Sequence, residues 1–473
     1  MIKDDSKPAV ALIGTLDTKK AEYQFATSWL EQRGCNVLVL DVSTHKPLEG
    51  PSSFDLGANS KRYSAKELLE LRPNENDGDL PSERSALREA LRTACLHELS
   101  RLHKDGAIDA IASFGGSQNT SFATSIMRDT AFPIGLPKFM LTTMASGDVS
   151  EFLGESDICI MPSVGDISGS LNAITLTTLR SALAAISGMA HAWHDSKQQD
   201  ASASSSTNKH NDKPMIAISM FGVTTAAVNQ ISDLLKQQGY EPVAFHATGS
   251  GGRSMERLIR EGYFAAVIDL TTTEICDHVY DGVLSAGPDR LTAAAEKGVP
   301  QIVSVGALDM INFGSLSSLP SHYEVREGGD KGPMHHTRNG TPVYEHNSQV
   351  TLVRTSAEQC KEIGRHLVSN LFKGLERLAG DRKAAPIRIL FPKAGISAMD
   401  GADGVWDDAE AREALLDSIQ KTVDEHQSKK DAQRCNVSIE VFEHHINSSE
   451  FAKVVADQIV KLVSERQKRL CLF

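Results

Sequence analysis

Residues 7–18 read K-P-A-V-A-L-I-G-T-L-D-T, and residues 213–225 read K-P-M-I-A-I-S-M-F-G-V-T-T. Each is a short apolar run that ends in glycine, then hydroxyl-bearing residues, then a helical segment. The pairing continues along the chain in the same order. R-G-C-N-V-L-V-L-D-V-S-T (33–44) matches Q-G-Y-E-P-V-A-F-H-A-T-G (238–249), and D-G-A-I-D-A-I-A-S-F-G-G-S (105–117) matches E-G-Y-F-A-A-V-I-D-L-T-T-T (261–273). G-L-P-K-F-M-L-T-T-M-A-S (135–146) matches G-V-P-Q-I-V-S-V-G-A-L-D (298–309). Four strand-and-loop units recurring in order imply an internal duplication. Apolar β-branched runs alternating with helical stretches are the pattern of parallel strands buried on both faces. The expected fold is therefore α/β, two tandem Rossmann-like, doubly wound, mainly parallel sheets.

Between the copies, residues 195–213 lack apolar periodicity and are rich in Ser, Asp, Lys and Gln, which predicts a linker. The expected domains are 1–194 and 214–473. The first copy carries an extra segment at about 46–105, a lid, an oligomer arm or an inert excursion. The β-like I-R-I-L-F-P, the acidic helix after it, the strand V-S-I-E-V-F and a last helix are expected to complete the second sheet.

A formal net charge of −12 with 5% aromatic residues offers neither the cationic surface nor the stacking platforms of a nucleic-acid binder. Seven scattered cysteines without a C-x-x-C pair point to reduced thiols. The N-terminus has no signal-peptide core, and no run of about 18 apolar residues suggests a membrane span. A cytoplasmic protein with no nucleic-acid or membrane partner is expected.

In doubly wound sheets, ligands sit beyond the carboxyl ends of the strands, with phosphate at a helix N-terminus. In the first half this singles out four loops. Gly14, Thr15, Asp17, Thr18 and Lys19 offer a close-approach glycine, hydroxyls, a carboxylate and an ammonium, a set suited to phosphate with magnesium; Asp17 or Thr18 would alternatively cap the helix. Asp41, Ser43 and Thr44 place an acid where it would meet a ribose hydroxyl, with His45 beside it. Gly115, Gly116 and Ser117 form the richest phosphate cradle, although it is neither a P-loop nor G-x-G-x-x-G. Thr142, Ala145, Ser146, Gly147 and Asp148 follow the fourth strand, and Asp17 and Asp148 are the magnesium-ligand candidates.

In the second half, His246, Arg253, Glu274 and Asp309 are the candidate working groups of an enzyme: three glycines and Arg253 to hold an anion, two carboxylates to bind metal or move a proton. Histidines 246, 335, 336, 346 and 445 allow a hydrolytic metal site, yet no H-E-x-x-H is present. The sequence holds no G-x-S-x-G elbow and no cysteine beside an activating residue, so nucleophilic catalysis has no support.

Longer motifs carry a resemblance: G-T-L-D-T-K (14–19), D-V-S-T (41–44), M-A-S-G-D-V (144–149), M-F-G-V-T-T (220–225), F-H-A-T-G-S-G-G-R (245–253), D-L-T-T-T-E (269–274), L-S-A-G-P-D-R-L-T-A-A (284–294), G-A-L-D-M-I-N-F-G (306–314) and H-H-I-N (444–447). From Pro8 to Phe451 the chain resembles a largely uncharacterised family that includes the ATP-binding, virus-inhibitory region of a tomato tobamovirus-resistance protein. The resemblance implies a two-domain Rossmann-like architecture, a self-associating homo-oligomer, and ATP with magnesium bound in the N-terminal domain. It implies no reaction. Where the family reads G-G-S-G-G-T, this chain has Gly115-Gly116-Ser117-Gln118-Asn119-Thr120, so two backbone-permissive positions gain side chains. Family members also differ around Val164 to Asn172. The leading reading is an ATP- and magnesium-binding protein. Its alternatives are an enzyme, hydrolase or lyase, acting on a small carboxylated or phosphorylated metabolite in an interdomain cleft, and an interaction or inhibitor protein.

Overall fold

The computed structural model describes the chain except residues 1–5, 46–53, 58–59, 73–82, 204–212, 327–331, 379–383, 403, 429–435 and 471–473. It divides into two compact units, Met1–His210 and Asn211–Phe473.

Unit 1 contains, in order, β1 (Ala9–Gly14), α1 (Leu16–Gln32), β2 (Asn36–Asp41), β3 (Lys61–Tyr63), α2 (Ala65–Glu70), α3 (Arg84–Lys104), β4 (Ala110–Gly115), α4 (Ser117–Met127), β5 (Lys138–Thr142), α5 (Ser150–Leu153), β6 (Cys159–Pro162) and α6 (Ala173–Ala203). Its sheet runs β3-β2-β1-β4-β5-β6, and every neighbouring pair is parallel. All six residues of β1, of β2 and of β4 are buried, as strands covered by helices on both faces must be. One face packs Leu12, Phe114 and Leu141 against Tyr23 and Leu30 of α1 and Leu183 and Ile186 of α6. The other packs Ile13, Ile111 and Met140 against Leu91 and Leu99 of α3 and Phe122 of α4.

Unit 2 contains β7 (Met215–Met220), α7 (Thr225–Gln237), β8 (Glu241–His246), α8 (Ser250–Glu261), β9 (Ala266–Thr271), α9 (Glu274–Val279), α10 (Ala293–Lys297), β10 (Gln301–Gly306), β11 (Met310–Phe313), β12 (Met334–His336), β13 (Pro342–Asn347), β14 (Val350–Arg354), α11 (Ala357–Glu376), β15 (Ile387–Pro392), α12 (Ala409–Gln427), β16 (Val437–Phe442) and α13 (Ser449–Leu470). Its main sheet runs β16-β15-β10-β9-β7-β8, again parallel throughout. The run β2-β1-β4-β5-β6 of unit 1 thus has the same chain order as β8-β7-β9-β10-β15 of unit 2. The repeat read from the sequence is a repeat of strand order.

Four features depart from expectation. The extra segment at 46–105 is no excursion in its described part: β3 extends the sheet edge, and α3 buries Leu87, Leu91, Ala94, Cys95 and Leu99 as a crossover helix. The linker begins later than expected, because α6 continues to Ala203; the rest of the stretch, 204–212, lies outside the described residues. Helix α6 also holds a window, within Ala173–Gln198, long and apolar enough to cross a membrane by length and composition. In unit 1 it packs Leu179, Leu183, Ile186 and Ala190 onto the sheet, and 39% of the window is buried. A four-stranded antiparallel sheet, β11-β14-β13-β12, was not anticipated. The strands β15 and β16 do complete the second main sheet.

Cys35, Cys95, Cys159, Cys276 and Cys360 are unpaired; Cys435 and Cys471 lie outside the described residues.

Candidate functional site

The strand order of unit 1 reverses between β1 and β4, so α1 and α4 leave the sheet on opposite faces and a crevice opens at the strands' carboxyl ends. Two helix N-termini meet there, and they differ in what their N–H groups already hold.

At α1 the donors are taken. Leu16 N–H donates to Asp41 Oδ1 at 3.2 Å and Asp17 N–H to Ser43 Oγ at 3.0 Å, while the Thr18 and Lys19 N–H groups turn back onto the Thr15 carbonyl. Asp41 is fully buried and also accepts from the Ser43 N–H and hydroxyl. Burial raises its carboxyl pKa, with those hydrogen bonds opposing. Asp41 and Ser43 therefore clasp the first turn of α1, and Asp41 is not presented to a ribose. Asp17 holds His45, Oδ2 to Nδ1 at 2.6 Å. Thr15 and Thr18 share a hydroxyl contact at 3.1 Å, and Thr44 accepts from Arg84 Nε. Gly14 is required for a different reason than ligand approach: a Cβ there would sit 2.0 Å from Cζ of Tyr23. The Tyr23 hydroxyl donates to the Ile13 carbonyl at 2.6 Å and accepts from the Phe114 N–H at 3.0 Å, stitching β1 to β4. Burial pushes its pKa up to about 12.

At α4 the donors are open. Its N-cap is Gly116, in extended conformation with no side-chain cap. The Thr120 N–H reaches the Gly116 carbonyl, but no described residue accepts from the N–H groups of Ser117, Gln118 or Asn119. A Cβ on Gly116 would meet only Thr143 Oγ1, at 3.7 Å, so the space above the turn is clear. Lys19 stands beside it: its Cε is 3.3 Å from a Cβ built on Gly115, and its Nζ rests on the Ile167 carbonyl at 2.6 Å. Asn119 folds inward; its Nδ2 donates to Ser113 Oγ at 2.8 Å and to the Phe114 carbonyl at 2.9 Å. It braces the end of β4 without covering the N–H groups. Thr142 bonds Thr120 Oγ1 at 2.7 Å. On the same loop Ser146, Gly147 and Asp148 are exposed and Ala145 half-buried. The Ser150 N–H holds the Asp148 carboxyl below its usual range.

Asp17 and Thr18 line a hollow of about 640 Å³ with Phe25, Leu171 and Gly169. On the opposite face of the sheet a groove of about 540 Å³ runs between α3 and α4.

In unit 2 the glycine-rich loop that looks like an anion cradle already has an anion, the chain's own Glu274. Its Oε1 accepts from the Gly249 and Gly252 N–H groups at 2.7 and 3.0 Å. A Cβ on Gly252 would lie 2.1 Å from that carboxylate, so the glycine is there for Glu274. Glu274 Oε2 is paired with Arg290 Nε at 2.7 Å, and Arg290 also reaches Asp269 at 2.6 Å and Glu256 at 3.1 Å. Arg290, Glu274 and Asp269 are at most 1% exposed. This is a buried charge cluster, not a reactive carboxylate. Asp309 is equally enclosed, accepting from Ser397 Oγ at 2.7 Å and Trp406 Nε1 at 2.9 Å. His246 is exposed at the end of edge strand β8, and Arg253 Nη1 holds the Ser285 carbonyl at 3.0 Å. The four candidate catalytic residues are thus not assembled as one reactive group. Among the described residues no cluster of three or more His, Cys, Asp or Glu could hold a metal.

Asp277 in the same unit accepts from the Asn312 N–H, Asn312 Nδ2 and the Leu284 N–H at 2.8, 3.1 and 2.8 Å. Burial nevertheless lifts its pKa to about 7. A raised native pKa favours the fold while the group is protonated, so this stabilisation is complete below the ordinary carboxyl value near ~4 and is lost as pH rises through about 7. Urea unfolding of the protein and of Asp277→Asn, followed in unit 2 from pH 4.5 to 8, is expected to show the wild type losing stability relative to the variant as pH rises, by up to ~1.4 kcal/mol per pH unit. A difference independent of pH would refute this.

Residues 8–195 match the family model described as the N-terminal domain of an uncharacterised protein family (UPF0261), and residues 213–463 match its C-terminal domain. A relative from Clostridium tetani is 34% identical over 96% of this chain and 99% of its own length, and one from Mesorhizobium japonicum is 36% identical over 94% and 97%. The ToMV resistance protein Tm-1 of Solanum lycopersicum is 31% identical over 97% of this chain but only 56% of its own length.

Proposed function

The chain belongs to the uncharacterised protein family (UPF0261) through both of its units, and we propose that unit 1 binds a phosphorylated small molecule, ATP with magnesium, with a phosphate on the first turn of α4. The observation that carries this is the contrast between the two helix starts: α1 has its N–H groups occupied by Asp41, Ser43 and Thr15, whereas those of Ser117, Gln118 and Asn119 have no acceptor among the described residues. Free N–H groups and the positive end of an 11-residue helix favour an anion. Lys19 needs only to exchange the Ile167 carbonyl for a phosphate oxygen. Residues 17–19 stand between the α4 turn and the hollow lined by Phe25 and Leu171, which suits the ligand's organic part.

Magnesium fits in a limited way. It commonly keeps several waters and binds through ligand phosphates plus one or two carboxylates, so no protein cage is needed. Asp148, exposed on the loop that carries Thr143, is the carboxylate that would complete its shell; Asp17 is held by His45. The ion would neutralise phosphate charge, and the chain's own part is to bind and orient.

Calorimetric titration with ATP, with and without magnesium, is expected to show saturable heat. Ser117→Pro gives the sharper test. Proline is well accepted at the first helical position, and the extended Gly116 suits the residue before it, so thermal stability should be unchanged. The variant loses one free N–H and one hydroxyl, and affinity should fall at least about tenfold, since a charge-assisted hydrogen bond contributes ~1.5–3 kcal/mol. Unchanged affinity in a folded variant would remove α4 from the site.

A further inference from the structure

Apart from Gln118, the lining of the groove between α3 and α4 has no part in the reading above, and it is unusual for this chain. Arg84, Arg88 and Arg92 stand four residues apart along α3, on one face. Facing them are Gln118, Ser121 and Ser125 along α4, with Phe122 as the floor. Three arginines against one lining acid, Glu89, leave the groove positive in a chain of net charge −12. The arginines are not equivalent. Arg92 is spent on Glu89 at 2.6 Å. Arg84 gives only Nε to Thr44 Oγ1 at 3.2 Å. Arg88 gives Nη2 to the Gln118 carbonyl at 2.8 Å, and its guanidinium lies over the Phe122 ring at 6.0 Å. Gln118, which Arg88 holds, is the second residue of α4, so the guanidinium stands next to the turn whose N–H groups are open.

We propose that this groove receives the second and later anionic groups of a ligand that carries contiguous phosphates, with Arg88 and Arg84 as its ligands. The inference rests on the assignment of the first phosphate to α4. Arginine's planar fork can grip a phosphate bidentately, and a guanidinium shared with a neutral carbonyl is easily surrendered to a doubly charged oxyanion. The hydroxyl of Ser121 supplies a further donor along the groove, whereas that of Ser125 already donates to the Phe122 carbonyl at 2.7 Å. The chemical class that fits is therefore a di- or triphosphate rather than a monophosphate or a monocarboxylate.

The test is calorimetric, on the full chain, with ATP, AMP and inorganic tripolyphosphate as separate probes, and with Arg84→Gln/Arg88→Gln as the variant. The wild type is expected to bind ATP at least about tenfold more tightly than AMP and to bind tripolyphosphate measurably. In the variant the ATP preference should collapse to within about threefold of AMP, with AMP affinity itself unchanged, which also certifies that the variant is folded. If the wild type binds AMP as tightly as ATP, or if the variant keeps the full preference for ATP, the groove is not a phosphate subsite and the α4 reading survives alone. If the wild type binds none of the three probes, both fall together. Arg88→Lys, which keeps the charge and loses the fork, should recover only part of the preference; full recovery would show that charge alone, without bidentate geometry, explains it.

Discussion

Replacing Arg290 with methionine is expected to unfold unit 2 or to lower its stability by at least ~3–5 kcal/mol, the cost of breaking a buried ion pair. The guanidinium is 1% exposed and stands among three buried carboxylates, Glu274 at 2.7 Å, Asp269 at 2.6 Å and Glu256 at 3.1 Å. Without it three acids remain in a site with little water to solvate them. Glu274 also holds the first turn of α8, and Glu256 accepts from the Leu291 and Ala293 N–H groups at 2.5 and 2.8 Å, so the damage reaches two helices. The alternative explanation of Glu274, catalysis, makes a different forecast: Glu274→Gln would then lose activity and keep the fold. The cluster forecasts lost stability for Glu274→Gln and a greater loss for Arg290→Met. Thermal unfolding of the two variants, read in unit 2, distinguishes them; a wild-type melting profile for Arg290→Met would refute the cluster's role.

Gly14→Ala is expected to be the most damaging single-carbon addition in unit 1. The new methyl would lie 2.0, 2.4 and 2.5 Å from three carbons of the Tyr23 ring, and that ring is fully buried between β1 and β4. It has nowhere to retreat without breaking the hydroxyl's bonds to Ile13 and Phe114. Overpacking of this kind costs ~1–3 kcal/mol and sometimes more, and loss of the buried hydroxyl's partners adds ~1–3 kcal/mol. The cause can be isolated by a double-mutant cycle with Tyr23→Leu, which gives the methyl room. The double variant should be clearly more stable than the sum of the single losses allows. Strict additivity would mean that Gly14 matters for something other than Tyr23, and would return it to the list of ligand contacts.

Much of the fold was legible before any coordinates. Strands β1, β2 and β4 are mostly apolar runs, with polar residues only at the ends of β2 (Asn36, Asp41) and at Ser113 of β4, and burial on both faces follows from that pattern. The order shared by the two sheets was implicit in the pairing of residues 9–14 with 215–220 and of their three successors. The segment around α3 was set apart because its strand β3 is only three residues long and gives almost no periodic signal. The antiparallel sheet β11-β14-β13-β12 was missed because it is inserted between two units of the repeat, where the pattern of the first half offers no template.

The candidate site was legible only as a set of loops. Glycine followed by hydroxyls marks a strand-to-helix turn wherever it occurs, since such a turn needs close packing and a cap whether or not a ligand is present. Gly14-Thr15, Gly115-Gly116-Ser117 and Gly249 to Gly252 read alike along the chain. In the fold they serve three purposes: room for Tyr23, open N–H groups at α4, and a seat for Glu274.

By itself, then, the sequence determined the two parallel sheets, their shared strand order and the ends of the strands where chemistry could lie, because these depend on apolar period and local turn preference. Which of those ends is open to a ligand was decided by tertiary structure alone. Asp41 reaches Leu16 from 25 residues away, and Glu274 reaches Gly249 from another 25. A backbone N–H is available to phosphate only where no such distant carboxylate has arrived first.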